Sequence, residues 1–207
     1  FRPRVHGSVL TMGQLPICSY TNDIYPELLL FWGHNPIYSG PDGELGFGVK
    51  EALARKPKII VVDPRETMLA KRADVWLQLR PGTDDALGLA MLNVIIEEGL
   101  HDKEFVDNWC YGFDELAARV THYTPEWAEP ITWCKAADIR EAARLYAEVK
   151  PSMLEWGCAI EHTPACFQTV RALLCLPSIT GNIDQPGSWS FGMTPLPPFP
   201  QLFDKMP

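Results

Sequence analysis

The stretch LLLFWGHNP, at residues 28–36, decides the fold because it joins a short apolar run directly to a polar turn. The same pattern recurs in IIVVDPR at residues 59–65 and in VWLQLRPGTD at residues 75–84. A fourth apolar run, SMLEW at residues 152–156, leads into Gly157. Short apolar runs bounded by turn residues are typical of strands buried on both faces of a sheet. The sequence therefore predicts four buried strands.

Helical patterns separate these strands along the chain. Apolar residues three and four apart predict a helix that begins at Asp84 or Asp85, ends at Glu98 and is closed by Gly99. Further helices are predicted over residues 44–54, 103–109, 113–122, 137–149 and 164–178. Strands that alternate with helices indicate an α/β fold, with a doubly wound, mostly parallel sheet and helices on both faces, in a Rossmann-like, dinucleotide-binding arrangement. In such sheets ligands bind at the carboxyl ends of the strands.

The composition is that of a globular protein and argues against several classes. The chain has 207 residues, with 18 basic and 26 acidic side chains and a formal net charge of −8. Nucleic-acid-binding proteins usually carry a basic surface, so we expect no nucleic-acid partner. No stretch approaches the roughly 20 apolar residues of a membrane span. The six cysteines include no C-x-x-C pair, so we expect most of them to be reduced and buried. They do not decide between a cytoplasmic and a periplasmic location.

Changes in composition divide the chain into four parts. We expect an irregular lead-in over residues 1–27, an α/β domain over residues 28–150, a strand–helix segment over residues 151–187 and a proline-rich tail over residues 188–207. Such a tail favours an extended polyproline conformation. The sequence begins without Met and stops inside this proline-rich run, which is expected of a piece of a longer protein.

The polar turns after the first two strands are candidate ligand contacts, and each has a plain structural alternative. Gly33 allows the backbone to approach a ligand closely, and Asn35 offers both a donor and an acceptor. The same residues also suit a simple tight turn. Asp63 stands where nucleotide-binding sheets carry an acid that binds the ribose hydroxyls, or it is a turn residue before Pro64. Both interpretations stay open.

The turn before the clearest helix carries a more specific signal. Asp84, which follows Gly82 and Thr83, presents a carboxylate that can accept from the ring N–H and the exocyclic amine of guanine together. The alternative is that Asp84 only caps the helix. Arg65 and Arg80 either pair with phosphate or hold a carboxylate at the surface.

Several familiar motifs are absent from the sequence. It contains no G-x-G-x-x-G and no G-x-x-x-x-G-K-[ST] phosphate loop, no G-x-S-x-G elbow and no H-E-x-x-H pair. Glu161 and His162 follow Cys158 closely and are candidate metal ligands, although a partly buried, hydrogen-bonded histidine is the preferred interpretation. The pattern alone therefore predicts a nucleotide-like ligand on a parallel sheet and no particular reaction.

A set of motifs in a fixed order resembles a known family. The set consists of WGHNP at residues 32–36, VVDPR at residues 61–65, LRPGTD at residues 79–84, VIIEEGL at residues 94–100 and TGNID at residues 180–184. It resembles the molybdopterin oxidoreductase family, which includes the DMSO-reductase type enzymes and the formate dehydrogenases. The resemblance covers roughly residues 28–187. The segment EWGCAIEH, at residues 155–162, is most similar to the branch with anaerobic dehydrogenases and acetylene hydratase-like proteins.

The resemblance implies a bis(molybdopterin guanine dinucleotide) cofactor that carries molybdenum or tungsten. It implies that residues 28–150 form a domain that binds the guanine dinucleotide, and that residues 151–187 continue into a neighbouring cofactor domain. The implied cofactor-binding residues are Gly33, His34, Asn35, Pro36, Ser39, Asp63, Pro64, Arg65, Arg80, Gly82, Thr83, Asp84, Trp156, Gly157 and Cys158.

The resemblance also implies catalytic parts of the parent enzyme. Arg171 matches a position where formate dehydrogenases have an arginine near the metal, and its alternative is a helix-surface arginine. A 4Fe–4S cluster and the protein ligand of the metal are expected in the parent protein outside this chain, with Cys18 as a second choice for that ligand. The expected partners are the cofactor, a small-molecule substrate and an iron–sulfur electron-transfer subunit.

Two functions follow for the chain. The first is the cofactor-binding portion of a molybdenum or tungsten oxidoreductase, inactive when it is alone. The second is a stand-alone nucleotide-binding or assembly module that keeps the fold without catalysis. An NAD-linked dehydrogenase ranks third because its glycine fingerprint is missing. The sequence does not determine the substrate, the metal, or the choice between redox and hydratase chemistry.

Overall fold

A four-stranded parallel sheet lies at the centre of the protein. The structure, a computed structural model, describes residues 2–18, 20, 24–39 and 43–191. The strands of the sheet are β2 (Leu28–Trp32), β3 (Lys58–Val62), β4 (Val75–Leu77) and β5 (Ser152–Trp156). A separate antiparallel pair is formed by β1 (Ile17–Cys18) and β6 (Trp189–Ser190). The predicted α/β class with a parallel sheet is confirmed.

The strands follow the order β4-β3-β2-β5 across the sheet. Leu28, at the start of β2, pairs with Lys58 on one side and with Ser152 on the other. Every residue of β2 and of β5 is buried, which requires cover on both faces of the sheet. Because the chain winds outward from β2 first to one side and then to the other, the direction of winding reverses between β2 and β5. Crevices for ligands form at such switch points.

Helices connect and cover the strands. They are α1 (Arg2–Met12), α2 (Pro36–Ser39), α3 (Gly43–Ala54), α4 (Asp84–Glu97), α5 (Lys103–Trp109), α6 (Phe113–Val120), α7 (Pro125–Thr132), α8 (Ala136–Glu148) and α9 (Cys166–Thr180). Helix α4 is buried over most of its surface because α7, α8 and α9 all pack against it. Short 3-10 turns lie at Ala70–Arg72 and Cys158–His162. The start of α4, at the strand-end edge of the sheet, is thereby fixed by the core.

The prediction of an irregular lead-in over residues 1–27 is wrong for its first part. Residues Arg2–Met12 form helix α1. Few of its residues are buried, and its sequence has no sustained apolar stripe of the kind from which helices are predicted. Packing against α9 holds this helix. A Cβ atom at Gly7 would lie 2.7 Å from Cγ1 of Val170, so the two helices approach closely.

Helix α7 was also not predicted, because Pro130 interrupts its pattern. The helix nevertheless has a clear start: Thr124 accepts a hydrogen bond from the backbone N–H of Trp127 (3.2 Å), and Pro125 occupies the first turn. The other predicted helices and strands exist and begin and end close to their expected bounds.

The segment over residues 151–187 completes the same sheet as the preceding residues, since β5 pairs directly with β2. Whether this segment also continues into a neighbouring cofactor domain stays a prediction. Residues 188–191 of the predicted proline-rich tail are described and include β6, whereas residues 192–207 lie outside the described part. Among the described residues, no helix is both long and apolar enough to span a membrane.

Candidate functional site

Four loops lie side by side along one edge of the sheet, at the carboxyl ends of its parallel strands. Backbone hydrogen bonds join three of these loops to the strand beside them. The N–H of Gly33 donates to the end of β3 (2.8 Å), that of Gly157 to the end of β2 (3.0 Å), and that of Asp63 to the end of β4 (3.2 Å). The predicted candidate residues that follow different strands are therefore brought to one edge.

The loops after β2 and β5 touch through glycine backbone. A Cβ atom at Gly157 would lie 2.1 Å from the carbonyl oxygen of Gly33, a separation that no side chain tolerates. Gly33 itself has a φ of +55°, in the left-handed region that favours glycine. The loops at the switch point between β2 and β5 are thus packed directly backbone against backbone, which requires glycine at position 157.

The Asp63 loop, after β3, is closed by its own carboxylate. Oδ1 of the buried Asp63 accepts from the backbone N–H of Arg65 (2.8 Å), and the Arg65 Nε lies 3.8 Å from the same oxygen. The indole of Trp76 donates to the Asp63 carbonyl (2.9 Å). Pro64 and the Arg65 side chain are exposed. Asp63 therefore acts as a turn residue in this structure, and the exposed guanidinium of Arg65 is available to an anion.

Asp84 is a buried carboxylate at the start of α4. Its side chain reaches β2, where the indole N–H of Trp32 donates to Oδ1 (2.9 Å). Burial raises the pKa of the Asp84 carboxyl above its ordinary value, and the Trp32 hydrogen bond opposes part of that rise. A carboxylate offers about four acceptor positions. The Trp32 bond therefore leaves acceptor capacity for a ligand.

Cationic and aromatic groups flank the loop before Asp84. The Arg80 guanidinium lies over the Trp133 ring, 5.3 Å from its centroid, and both side chains are exposed. The hydroxyl of Thr83 donates to the Arg80 carbonyl (2.7 Å), which fixes the turn. A Cβ atom at Gly82 would have no heavy atom within 4 Å, so this turn borders open space. Sequence reasoning did not single out Trp133, whose side chain reaches the loop from the end of α7.

The turn after β2 combines a buried acceptor with exposed polar groups. Oδ1 of Asn35 is buried and has no hydrogen-bond partner among the described residues. The Asn35 carbonyl accepts from the backbone N–H and the hydroxyl of Ser39 (2.9 and 3.0 Å), while Pro36 is buried at the start of α2. An unpaired buried amide oxygen is costly in the absence of a donor. This atom is a candidate acceptor for a ligand.

Sequence reasoning missed the carboxylate that faces His34. Glu155 lies inside β5, and its Oε2 is 3.2 Å from Nδ1 of His34. The Tyr20 hydroxyl donates to the other oxygen, Oε1. A glutamate within an otherwise apolar, buried run is itself a signal, because charged side chains are seldom buried without a partner.

The loop after β5 divides into a buried and an exposed part. Trp156, the last residue of β5, is buried, its indole N–H has no partner in the described part of the chain, and Arg4 of α1 donates to its carbonyl (2.9 Å). Cys158 is exposed. Glu161 forms a 2.6 Å ion pair with Arg4, and His162 is exposed, so the expectation of a partly buried, hydrogen-bonded histidine is wrong. The ion-pair partner of Glu161 comes from α1, a helix that the sequence pattern does not predict.

The two residues predicted near the metal lie on elements other than the four loops, Arg171 on α9 and Cys18 on β1. Arg171 is exposed, and its Nη1 donates to Gln168 (3.5 Å). Burial, and then the nearby Glu155 carboxylate, raises the pKa of the Cys18 thiol well above its ordinary value. Over the described ranges, no group of three or more His, Cys, Asp or Glu side chains is arranged to hold a metal ion.

Comparisons with known proteins give a family match and several relatives. The family model described as "Molybdopterin oxidoreductase" matches residues 16–196. The chain is 46% identical to acetylene hydratase of Syntrophotalea acetylenica over 134 residues, which is 65% of this chain and 18% of that protein. It is 38% identical to formate dehydrogenase H of Escherichia coli (strain K12) over 185 residues, 89% of this chain and 26% of that one.

A solved structure has the same fold. The acetylene hydratase from Pelobacter acetylenicus superimposes with a TM-score of 0.82 at 38% sequence identity, over 91% of this chain and 25% of that chain. The chain therefore spans about a quarter or less of the length of the relatives named here.

Proposed function

The chain belongs to the molybdopterin oxidoreductase family, and on that premise we propose that it holds the guanosine and pyrophosphate of a bis(molybdopterin guanine dinucleotide) cofactor. One observation carries this proposal: a buried carboxylate, Asp84, lies at the strand-end edge where glycine backbone lines the switch point of the sheet. A carboxylate matches the adjacent N–H donors of guanine, which adenine does not present. The family alone implies a molybdopterin, and Asp84 supplies the reason for the guanine nucleotide.

The residues present fit a nucleotide-bearing group. Two polar atoms at this edge, Asn35 Oδ1 and Trp156 Nε1, are buried and unpaired among the described residues. Burial without a hydrogen bond costs free energy, so a ligand that supplies the missing donor and acceptor stabilises both loops. The open space beside Gly82 gives a purine access to the Asp84 turn.

The strand order supports the same proposal. When the four strands of the sheet are numbered along the chain, the order β4-β3-β2-β5 becomes 3-2-1-4. Dinucleotide-binding folds share this order and bind their ligand in the crevice where it reverses, between the first and fourth strands. Here those strands are β2 and β5, whose loops carry Gly33 and Gly157.

Each loop takes a separate part of the cofactor in this proposal. The backbone of Gly33 and the side chain of Asn35 approach the pyrophosphate at the switch point. Asp63 lies beside the ribose, with the exposed Arg65 guanidinium near the phosphates. Asp84 binds the guanine edge. The Trp156–Gly157 backbone approaches the pterin end.

The bound cofactor supplies the chemistry at its metal, and the protein supplies binding and orientation. In this chain the orienting groups are fixed by the core: Trp32 holds the Asp84 carboxylate, and the sheet register holds Gly33 against Gly157. These fixed groups leave few alternative positions for the nucleotide end of the cofactor. The bound cofactor in turn shields the buried polar atoms from water.

The catalytic parts belong to the complete protein in this proposal. We infer that it carries a 4Fe–4S cluster and a protein ligand to molybdenum or tungsten outside this chain, and that an iron–sulfur subunit exchanges electrons with it. Arg171 is the candidate residue of this chain for contact with the substrate near the metal. Its exposure on α9 leaves the guanidinium accessible to other parts of the protein.

Photolabelling tests where the nucleotide binds. The complete protein, produced in cells that do not make molybdopterin, is irradiated with an azido derivative of GDP, and labelled peptides are identified by mass spectrometry. The proposal predicts labels in residues 33–39 and 80–84, with GDP competing better than ADP. Labels confined to other regions would contradict it. Labelling in a complete protein that never acquires a metal would instead favour the stand-alone nucleotide-binding module.

A further inference from the structure

A buried carboxylate in the central sheet is not used by the nucleotide contacts described above. Glu155 is the fourth residue of β5, opposite Phe31 of β2, and its side chain is 3% exposed. Placing a carboxylate inside a sheet costs free energy unless hydrogen bonds or a cation compensate it. Tyr20 provides a hydrogen bond to Oε1, and the His34 ring approaches Oε2 from a different loop.

Tyr20 is itself fixed against the helix that covers it. A Cβ atom at Gly48 of α3 would lie 2.7 Å from Cβ of Tyr20, so the tyrosine occupies the space that glycine leaves. Its hydroxyl donates to Oε1 of Glu155. Burial, and then the Glu155 carboxylate, raises the pKa of Tyr20 well above its ordinary value, so the hydroxyl stays a donor. Tyr20 thereby restricts the rotation of the carboxylate.

His34 lies against the second carboxylate oxygen. Its Nδ1 is buried and lies 3.2 Å from Oε2 of Glu155, while the side chain as a whole is 19% exposed. Neither atom has a hydrogen-bond partner among the described residues, so the two groups are in close contact without a hydrogen bond. The exposed part of the ring is on the side away from Nδ1. A carboxylate packed beside one imidazole nitrogen restricts the orientation of the ring and leaves the other nitrogen for a ligand.

His34 lies in the first turn after the first strand of the sheet. Dinucleotide-binding sheets bind the pyrophosphate at this turn. Either imidazole nitrogen can carry the N–H donor, so the nitrogen away from Glu155 can donate to an anionic oxygen.

We propose that Glu155, held by Tyr20, is a positioning residue that orients His34 so that its Nε2 donates a hydrogen bond to the pyrophosphate of the bound cofactor. This inference rests on the proposed function, because it needs a dinucleotide at the switch point. It adds a side-chain donor to a turn that otherwise contributes backbone and the Asn35 amide.

Chemical modification of histidine tests the contact without measuring activity. The complete protein is prepared with its cofactor, and also from cells that do not make molybdopterin. Both forms are treated with diethyl pyrocarbonate, and the modified histidines are identified by peptide mass spectrometry. The exposed His122, just after α6 and outside the four loops, reports equal reagent access in the two preparations. We expect His34 to react at least about tenfold more slowly in the cofactor-bound form, a change that one hydrogen bond to a charged group can give.

Two variants test the positioning role. Glu155→Gln keeps the size of the side chain and removes its charge, and we expect His34 to lose most of its protection in the cofactor-bound protein. If this variant does not fold, His34→Gln, at a partly exposed position, is expected to release the cofactor at least about tenfold faster on dilution. Unchanged protection in Glu155→Gln would overturn the positioning role, as would an unchanged release rate in His34→Gln.

The outcomes separate this inference from the proposed function. A cofactor-bound protein that yields GMP on acid hydrolysis, but whose His34 reacts equally in both forms, overturns the inference and leaves the proposed function intact. A folded, complete protein that contains no guanine nucleotide overturns both.

Discussion

Replacing Asp84 by asparagine separates the stability of the fold from recognition of guanine. Asp84 is 8% exposed and accepts a 2.9 Å hydrogen bond from the indole of Trp32 at Oδ1. Asparagine has nearly the same size and keeps one oxygen for Trp32. Its amide group replaces the second oxygen and presents a donor where guanine also presents donors. The substitution therefore removes the proposed contact and preserves the packing.

Asp84→Asn is expected to weaken guanine binding and, near neutral pH, to leave the stability of the fold unchanged or increased. A hydrogen bond to a charged group contributes about 1.5–3 kcal/mol, so losing one weakens guanine binding by about tenfold to a hundredfold. Burial raises the pKa of Asp84, so the folded state holds the proton more tightly than the unfolded state does. The stability contribution of this group therefore falls as the pH rises through its pKa, and the ionised carboxylate is a cost near neutral pH. Asparagine does not carry that cost.

The assay compares two nucleotides on the cofactor-free, complete protein. Isothermal titration with GDP and with ADP gives the ratio of their affinities for the wild type and for Asp84→Asn. The control is Asp85→Asn, which makes the same change of charge at the neighbouring, less buried position. We expect only Asp84→Asn to reduce the GDP-to-ADP ratio. Its melting temperature near neutral pH should equal or exceed that of the wild type.

Two results would refute this reasoning. Equal losses for GDP and ADP in Asp84→Asn would show that the carboxylate does not read the base. A clear fall in melting temperature would show that Asp84 is needed to hold Trp32 and the start of α4, and that its role is structural.

Three further substitutions, the first with a control substitution, test the loop contact, the substrate site and a surface ion pair. Gly157→Ala puts a Cβ 2.1 Å from a backbone oxygen and should lower the melting temperature strongly. The control is Gly88→Ala inside α4, whose Cβ would make ordinary 3.5 Å contacts with α9, so this change should be neutral or stabilising by up to about 1 kcal/mol. Equal melting temperatures for the two variants would contradict the close approach of the loops. Arg171→Gln should leave melting temperature and GMP content unchanged and lower kcat, and an unchanged kcat would exclude it from the substrate site. Arg140 lowers the pKa of Glu126 to about 2, so this pair stabilises the fold above the ordinary pKa of glutamate and loses its effect as the pH falls toward about 2. Glu126→Gln should therefore differ from the wild type in melting temperature near neutral pH and converge with it in acid, and a constant difference would contradict the assignment.

The sheet and its loops could be predicted because their signals are local. The LLLFW run of β2 is uninterrupted and its turn begins directly afterward, so burial and chain reversal are both visible in nine residues. The start of α4 carries Asp84 and Asp85 ahead of a regular apolar pattern. These features depend on neighbours in sequence.

The missed features depend on contacts between distant residues. Helix α1 has no clear apolar stripe and is held by α9, far along the chain. Glu155 looks anomalous in an apolar strand, but its partners Tyr20 and His34 are distant in sequence and meet it only in the folded protein. Sequence alone likewise could not show that the Trp32 indole binds Asp84, since β2 and α4 come together through the sheet.

Metal and nucleotide analysis of the complete protein decides whether it carries a molybdopterin guanine dinucleotide. The protein that carries this chain is isolated intact and folded, its molybdenum, tungsten and iron are measured by elemental analysis, and acid hydrolysis releases any bound nucleotide for chromatography. We expect molybdenum or tungsten together with GMP, and iron from the expected cluster. A folded protein that contains neither metal nor GMP would rule out the proposed cofactor and leave the chain as a module for binding or assembly.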